Sequence, residues 1–195
     1  MHRVMECYQF ASDTEPKDQI AQMLEKGKIT EDMRSLVNLS LVEQFVASEI
    51  GARMRAAESA GKLHREKPFV MGFTGAELAD FGFGEMREDG AESVSVQEEN
   101  CMEVPTTANS SKQEESLTLI QGIIDVFWEE EDGIVVLDYK TDRVDTPKQL
   151  SDRYAAQLRL YGEALERIYN PDGERNIKVK ERLLYSFRLG EVIPV

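Results

Sequence analysis

Two β-rich runs separated by a short acidic turn constrain the fold of this chain more than any other feature. Residues 116–128 and 134–141 are rich in isoleucine, valine and aromatic side chains, and the segment between them reads EEEDG. Runs of this length and composition are typical of strands, and a short turn that ends in glycine lets two such strands pair. The sequence therefore predicts an antiparallel hairpin that is apolar enough to be buried.

Three charged side chains interrupt this apolar hairpin. Side chains alternate between the two faces of a strand, so Asp138 and Lys140 share one face, and Asp125 lies among apolar neighbours on the other strand. Burying two like charges near each other is costly unless something compensates for the repulsion. A divalent cation is one compensator, and Mg²⁺ or Mn²⁺ suits carboxylate oxygens and phosphate chemistry. A buried ion pair between Lys140 and an aspartate explains the same residues, so both alternatives stay open.

The N-terminal third of the chain predicts helices. Residues 1–60 carry apolar side chains at helical spacing, and Gly27 is a natural stop. Thr30 and Ser40 are candidate caps for the helices that follow. The clearest apolar stripe consists of Leu36, Leu39, Val42, Phe45, Val46 and Ile50.

Further strands and one long helix surround the hairpin. Residues 62–73 resemble a strand, which Pro68 restricts to a sheet edge or a bulge. After the hairpin, a Thr-Pro-Lys-Gln cap predicts a helix over 147–169. The segments 177–187 and 191–195 are expected to form a second strand pair that closes the sheet.

Composition limits the class of protein. With 195 residues and 41% hydrophobic content, the chain can form one domain over 1–195. Cys7 and Cys101 lie far apart without the spacing of a disulfide framework or a zinc site, which favours thiols in a reducing cytoplasm. Cys7 is expected to pack within a helix. No apolar run approaches the length that spans a membrane, so no membrane partner is expected.

The negative charge is concentrated in one segment. Residues 72–115 contain eleven acidic and two basic side chains, a net charge of −9 out of −14 for the whole chain. This segment is expected to be a flexible acidic insertion, at least in its second half. The overall charge argues against a chain that holds nucleic acid on a basic surface of its own.

Three motifs follow one another in an order that resembles a known nuclease family. They are Gly122-Ile-Ile-Asp125, Asp138-Tyr-Lys140, and Gln157 with Tyr161 one helical turn later. Together they resemble the RecB-type branch of the PD-(D/E)XK nucleases, most closely the C-terminal nuclease domain of AddA-type helicase–nuclease subunits. The resemblance implies an α/β, restriction-endonuclease-like fold, in which a mixed central sheet is flanked by helices and the N-terminal part is helical.

The same resemblance implies roles for individual residues. Asp125 and Asp138 would bind Mg²⁺ or Mn²⁺, with the His2 imidazole and the Tyr139 backbone carbonyl completing the ligands. Lys140 would be catalytic, and Gln157 and Tyr161 would lie near the DNA or the metal. A core tyrosine beside a satisfied glutamine is the structural alternative for the last two. Glu66 is a further candidate, with an exposed charge as its alternative, and basic residues are expected around the site: Lys140, Arg143, Lys148, Arg153 and Arg159.

These implications lead to a prediction of function. The chain is expected to be a metal-dependent deoxyribonuclease, an exonuclease domain of double-strand-break processing and recombinational repair. Because no phosphate-binding loop of the G-x-x-x-x-G-K-[ST] type is present, a helicase part elsewhere in a longer chain would deliver the single strand, beside an AddB-type partner subunit. The rival prediction is a catalytically inactive nuclease-like module that serves as a scaffold for the interaction between subunits.

Overall fold

The computed structural model describes residues 1–83, 103–104, 117–172 and 175–195. Within these residues no helix is long and apolar enough to cross a membrane. The described helices and strands are, in chain order, α1 (His2–Cys7), α2 (Pro16–Glu25), α3 (Glu31–Leu36), α4 (Leu39–Val46), α5 (Glu49–Ser59), β1 (Leu63–Thr74), α6 (Gly75–Phe81), β2 (Glu103–Val104), β3 (Leu117–Glu130), β4 (Gly133–Lys140), α7 (Pro147–Tyr169), β5 (Val179–Ser186) and β6 (Glu191–Pro194).

The predicted hairpin forms the middle of a mixed sheet with the order β1-β3-β4-β5-β6, and the short β2 also pairs with β3. Neighbouring strands run antiparallel except β4 and β5, which are parallel. A parallel pair requires a crossover connection, and α7 supplies it. The hairpin, the edge position of β1 and the final strand pair are confirmed.

The N-terminal part is helical, as the sequence predicts, and α1, α2, α4 and α5 pack on one face of the sheet. Their apolar side chains pack with Val126, Trp128 and Leu137 of the hairpin to form one core. Thr30 caps α3 by accepting a hydrogen bond from the Met33 amide.

Two details of the helical prediction are wrong. Asn38, rather than Ser40, caps α4, because its side chain accepts the Ser40 amide. Leu36 belongs to the predicted apolar stripe but is 83% exposed, because α3 ends at this residue and α4 is a separate helix that begins at Leu39.

Helix α7 covers the opposite face of the sheet. It starts at Pro147, as predicted, where the Gln149 side chain accepts hydrogen bonds from the Asp145 and Thr146 amides. Its apolar side packs on alternate residues of β4, including Ile134 and Val136, to form a second core. The two faces of β4 are therefore both buried, which explains its nearly continuous apolar sequence.

The acidic insertion contains one helix that was not predicted from the sequence. Helix α6 follows β1 directly and starts with a capping box, in which Thr74 and Glu77 satisfy each other's backbone amides. A threonine followed three residues later by glutamate is a helix start signal, so the sequence did contain the information. The expected flexibility of the second half of the insertion concerns residues that lie almost entirely outside the described part of the chain.

Candidate active site

Strand β4 places Asp138 and Lys140 on the face of the sheet that α7 covers. The Lys140 Nζ atom lies 2.7 Å from Asp138 Oδ2, and the two side chains are 13% and 4% exposed. The same Oδ2 atom forms no hydrogen bond of good geometry, so the contact is ionic and the oxygen retains acceptor capacity. The structure therefore contains the ion pair that the sequence left open, and its carboxylate oxygen is buried without a hydrogen bond of good geometry.

Asp125 reaches the same region from β3. The backbone pairing of β3 with β4 stops at Val126 and Leu137, and the Asp125 carboxylate then accepts the Tyr139 amide at 3.0 Å. The side chain thus replaces the next backbone hydrogen bond of the ladder. Repulsion from Asp125 also acts on Asp138, so the two carboxylates are electrostatic neighbours.

The β1–β3 ladder is interrupted where Asp125 faces Glu66. Arg65 pairs with Val126 and Lys67 with Ile124, but the pair between them is missing. Val126 packs in the core below α1 to α5, whereas Ile124 packs in the core below α7, so the normal alternation breaks at this point.

Glu66 carries the backbone strain of this interruption. Its φ angle is +47°, the only positive value among the described residues other than glycine. The left-handed conformation costs about 1–2 kcal/mol for a residue with a side chain. Glu66 is half-buried and is electrostatically close to Asp125, Asp138 and His2. It is therefore a third carboxylate beside the two predicted aspartates, rather than an exposed charge.

Helix α1 brings His2 to the same place. Its Nε2 atom lies 2.6 Å from the Tyr139 carbonyl oxygen and 3.7 Å from Asp125 Oδ2. The Tyr139 ring points the other way, into the core below the N-terminal helices, so its carbonyl is the part that faces the site. Three of the four predicted ligand groups therefore converge.

Burial and repulsion disfavour the ionised carboxylates. Burial, followed by repulsion from Asp125, raises the pKa of Asp138 to about 6, although Lys140 and His2 oppose the change. Burial also raises the pKa of Asp125, against the opposing effects of the Tyr139 amide and His2. The raised pKa values mean that the ionised forms of both carboxylates are destabilised. A cation bound nearby would stabilise them.

Among the described residues, no group of three or more His, Cys, Asp or Glu side chains is already arranged as a metal cage. The His2 nitrogen instead contacts the Tyr139 carbonyl directly. The donor set nevertheless fits a hard divalent cation, because it combines two carboxylates, an imidazole nitrogen and a backbone carbonyl. The buried Asp138 oxygen without a hydrogen bond is the atom that most favours this fit.

Helix α7 supplies the surroundings of Lys140. The Lys140 ammonium lies 3.3 Å from Gln157 Oε1, and the Gln157 amide donates to the Tyr161 hydroxyl at 2.7 Å. Gln157 and Tyr161 therefore face the site together. Tyr154 is not among the predicted site residues, because its spacing assigns it to the apolar face of the helix. The Tyr154 ring lies directly against Lys140, with the Nζ atom 3.6 Å from its centroid.

Two of the other four predicted basic residues are already paired with carboxylates. Arg153 forms an ion pair with Asp142, and Lys148 pairs with Asp152 in the first part of α7. Arg143 and Arg159 are exposed, and the structure records no contact that brings them to the aspartates. Of the five predicted cations, Lys140 is the one in direct contact with the acidic site.

Comparison with known families identifies the class of protein. Residues 1–190 match the PD-(D/E)XK nuclease superfamily, and the chain belongs to this superfamily. The mixed sheet with helices on both faces confirms the predicted restriction-endonuclease-like α/β fold.

The individual relatives that the chain resembles are ATP-dependent helicase/nuclease subunits. The chain is 34% identical over its full length to an ATP-dependent helicase/nuclease subunit from Lachnoclostridium phytofermentans, of which it covers 14%. It is 36% identical to the protein of the same name from Alkaliphilus metalliredigens, over 92% of this chain and 12% of the relative. The match to the Thermoanaerobacter sp. X514 protein is 30% identical over 99% of this chain and 13% of the relative. The chain thus corresponds to about one seventh of the length of these curated relatives.

Proposed function

We propose that the chain is a DNA nuclease domain that depends on Mg²⁺ or Mn²⁺. Asp125, Asp138, His2 and the Tyr139 carbonyl would hold the cation, and Lys140 would act on the scissile phosphate. The observation that carries the proposal is the buried Asp138 carboxylate, which repels Asp125, contacts Lys140 at 2.7 Å and has an oxygen without a hydrogen bond. A purely structural core would be more stable with apolar side chains at these positions.

The residues of the chain divide the chemistry between them. A bound divalent cation supplies Lewis acidity and neutralises charge on the phosphate. The aspartates supply the negative charge that would hold the cation on one side of the scissile phosphate. Lys140 presents a positive charge and N–H donors next to it, suited to orient water or to stabilise a developing phosphoryl oxygen charge. Gln157 holds the ammonium from the side of α7, and Tyr161 in turn accepts the Gln157 amide.

We further propose that this domain works as part of a longer helicase–nuclease. The support is that the matched relatives are named helicase/nuclease subunits and are about seven times longer than this chain. In that setting the domain 1–195 would be a cytoplasmic exonuclease that receives a single DNA strand from the helicase part. The same proposal includes a role in recombinational repair of double-strand breaks, together with an AddB-type partner.

A cleavage assay tests the function. Linear single- and double-stranded DNA and circular single-stranded DNA are incubated with the protein in EDTA, Mg²⁺ or Mn²⁺. Linear DNA should be degraded only with a cation, and uncut circles would show that cleavage starts at ends. Lys140→Ala should lower the rate by roughly 10²–10³-fold, the usual effect of removing a donor that stabilises transition-state charge.

Lys148→Ala is the matched control, because Lys148 is an exposed lysine that pairs with Asp152 on α7. This variant should cut at a rate within about twofold of the wild type, as expected for an exposed ion pair. Equal cleavage by the wild type and Lys140→Ala would contradict the catalytic role of Lys140. No cleavage by either protein with any cation would favour the scaffold alternative.

A further inference from the structure

We propose that Tyr154 is a positioning residue that aims the Lys140 ammonium at the reacting phosphate. This inference rests on the proposed function, because it concerns the lysine that the function requires. The Nζ atom lies 3.6 Å from the centroid of the Tyr154 ring, well within the distance at which a cation is attracted to an aromatic face. Lys140 is 13% exposed, so little water competes with the ring for the ammonium.

Three groups surround the Lys140 ammonium in this arrangement. Asp138 Oδ2 is 2.7 Å away, Gln157 Oε1 is 3.3 Å away, and the Tyr154 ring covers a third side. A phosphate oxygen or a water must therefore displace one partner to reach the ammonium. The Gln157 contact is the longer of the two polar ones and is the one expected to yield. The ring and Asp138 would then keep the ammonium in place while Gln157 gives way.

Tyr154 is itself fixed by the last residue of the Asp-Tyr-Lys-Thr-Asp segment. Its hydroxyl donates to Asp142 Oδ1 at 2.8 Å, and the same oxygen accepts Arg153 Nη1 at 2.7 Å. Burial, and then the hydrogen bond to Asp142, raise the pKa of Tyr154 to about 12, so the phenol remains a donor at neutral pH.

Asp142 lies two residues after Lys140, so one short segment supplies both the ammonium and the anchor of its aromatic cover. Asp142 holds the Tyr154 ring through a hydrogen bond, and the Tyr154 ring in turn contacts the Lys140 ammonium.

Kinetics of three variants test the role of the ring. Tyr154→Leu removes the ring and should lower kcat by roughly 10–100-fold while leaving KM and the dependence on Mn²⁺ concentration unchanged, as expected for an interaction used in the transition state. Tyr154→Phe keeps the ring and loses only the anchor, so it should retain a rate within about fivefold of the wild type. Tyr169→Leu, a change of the same type at the other end of α7, should leave the rate unchanged.

A double variant separates positioning from general damage. In a Lys140→Ala background, Tyr154→Leu should cause no further loss beyond about twofold, because the residue acts only through the lysine. The proposal is overturned if Tyr154→Leu keeps the wild-type rate, or if it lowers the rate by the same factor with and without Lys140.

Chemical labelling tests the contact without any cleavage. The wild type and Tyr154→Leu are treated with an amine-acylating reagent, and modification of Lys140 is followed by peptide mass spectrometry with Lys148 as internal reference. Lys140 should react at least about fivefold faster in Tyr154→Leu, because the ring no longer covers it. If the wild type fails to cut DNA, the proposed function fails, but the labelling still shows whether the Tyr154 ring covers the Lys140 ammonium. Equal labelling of Lys140 in both proteins would refute the proposal.

Discussion

At the scale of single residues, Asp138 is the one charged side chain that is almost completely buried among the described residues, at 3% exposure. Its pKa is raised from 3.8 to about 6 by burial and by Asp125. The folded protein therefore binds more protons than the unfolded chain between about pH 4 and 6, and this group lowers stability as the pH rises through that window. Above that window, the full cost of ionised Asp138 remains unless a cation is bound.

Asp138→Asn removes this charge at nearly constant shape. In EDTA at pH 7, the variant should be more stable than the wild type by roughly 1–3 kcal/mol, because a shift of one pKa unit corresponds to about 1.4 kcal/mol. The advantage should shrink below about pH 6 and disappear near pH 4. Urea denaturation across this pH range measures both effects.

The ion-pair alternative predicts that the same substitution lowers the stability of the fold instead of raising it. If the contact with Lys140 dominates, Asp138→Asn should lose roughly 3–5 kcal/mol, because the lysine would be left buried without its partner. The stability of one variant at pH 7 thus decides between the two explanations that the sequence left open.

Prediction from sequence succeeded at residues governed by strand alternation and failed where the backbone departs from it. Asp138 and Lys140 meet as alternation requires. The interruption at Glu66 and Asp125 has no local signal, because glutamate has no preference for the left-handed conformation that it adopts there. Tyr154 packs against the core below α7, as its helical spacing predicts, but that spacing gives no sign of its contact with Lys140.

At the scale of elements, Gly122 lets β1, β3 and α7 approach one another. It faces Phe69 across the β1–β3 ladder, and a Cβ atom at Gly122 would lie 2.9 Å from the Phe69 ring and 3.6 Å from the Tyr161 ring. Phe69 and Tyr161 also meet edge to face, with their centroids 5.8 Å apart. A side chain at Gly122 would therefore push Phe69 towards Tyr161, whose hydroxyl accepts the Gln157 amide.

Gly122→Ala should destabilise the fold by roughly 1–3 kcal/mol, the usual cost of overpacking a core. Cleavage should also fall, since Tyr161 accepts the Gln157 amide and Gln157 contacts Lys140. Gly75→Ala is the control, because a Cβ atom there meets nothing within 4 Å at the start of α6. Thermal denaturation of both variants measures the difference, and equal stability of Gly122→Ala and the wild type would contradict the packing argument.

Elements with strong local signals were predicted from sequence, whereas boundaries set by tertiary packing were not. The hairpin and α7 have clear turn, proline and capping residues. The stripe from Leu36 to Ile50 looked continuous, yet it is divided among α3, α4 and α5, and only α4 and α5 contribute buried side chains to the core. Periodicity cannot detect such a division when the apolar spacing continues across it.

At the scale of the whole molecule, the charge balance limits how the chain can hold DNA. The sequence has 23 lysines and arginines against 37 acidic residues. Several of the described cations are already paired, including Arg53 with Glu130 and Glu181, and Arg153 with Asp142. The charge of these paired side chains is already partly neutralised, so they contribute less to binding phosphates. A helicase part that delivers the strand would remove the need for tight binding by this domain.

Salt dependence of DNA binding tests this limit. Proteins that contact six to ten phosphates lose about 10³–10⁵ in affinity between about 50 and 200 mM salt. The Lys140→Ala variant, which should degrade the probe at least about 100-fold more slowly than the wild type, is expected to bind a labelled single strand weakly in EDTA. Its salt dependence should correspond to no more than about three phosphate contacts.

Mn²⁺ should tighten this binding by at least about tenfold, because a cation between the aspartates and the phosphate replaces repulsion with attraction. Asp125→Asn combined with Lys140→Ala should lose most of this Mn²⁺ effect while keeping the same salt dependence in EDTA. Fluorescence anisotropy measures both quantities. A steep dependence of affinity on salt in EDTA would reveal a basic DNA-binding surface. An affinity that is the same with and without Mn²⁺ would argue against a cation shared by the acidic site and the DNA.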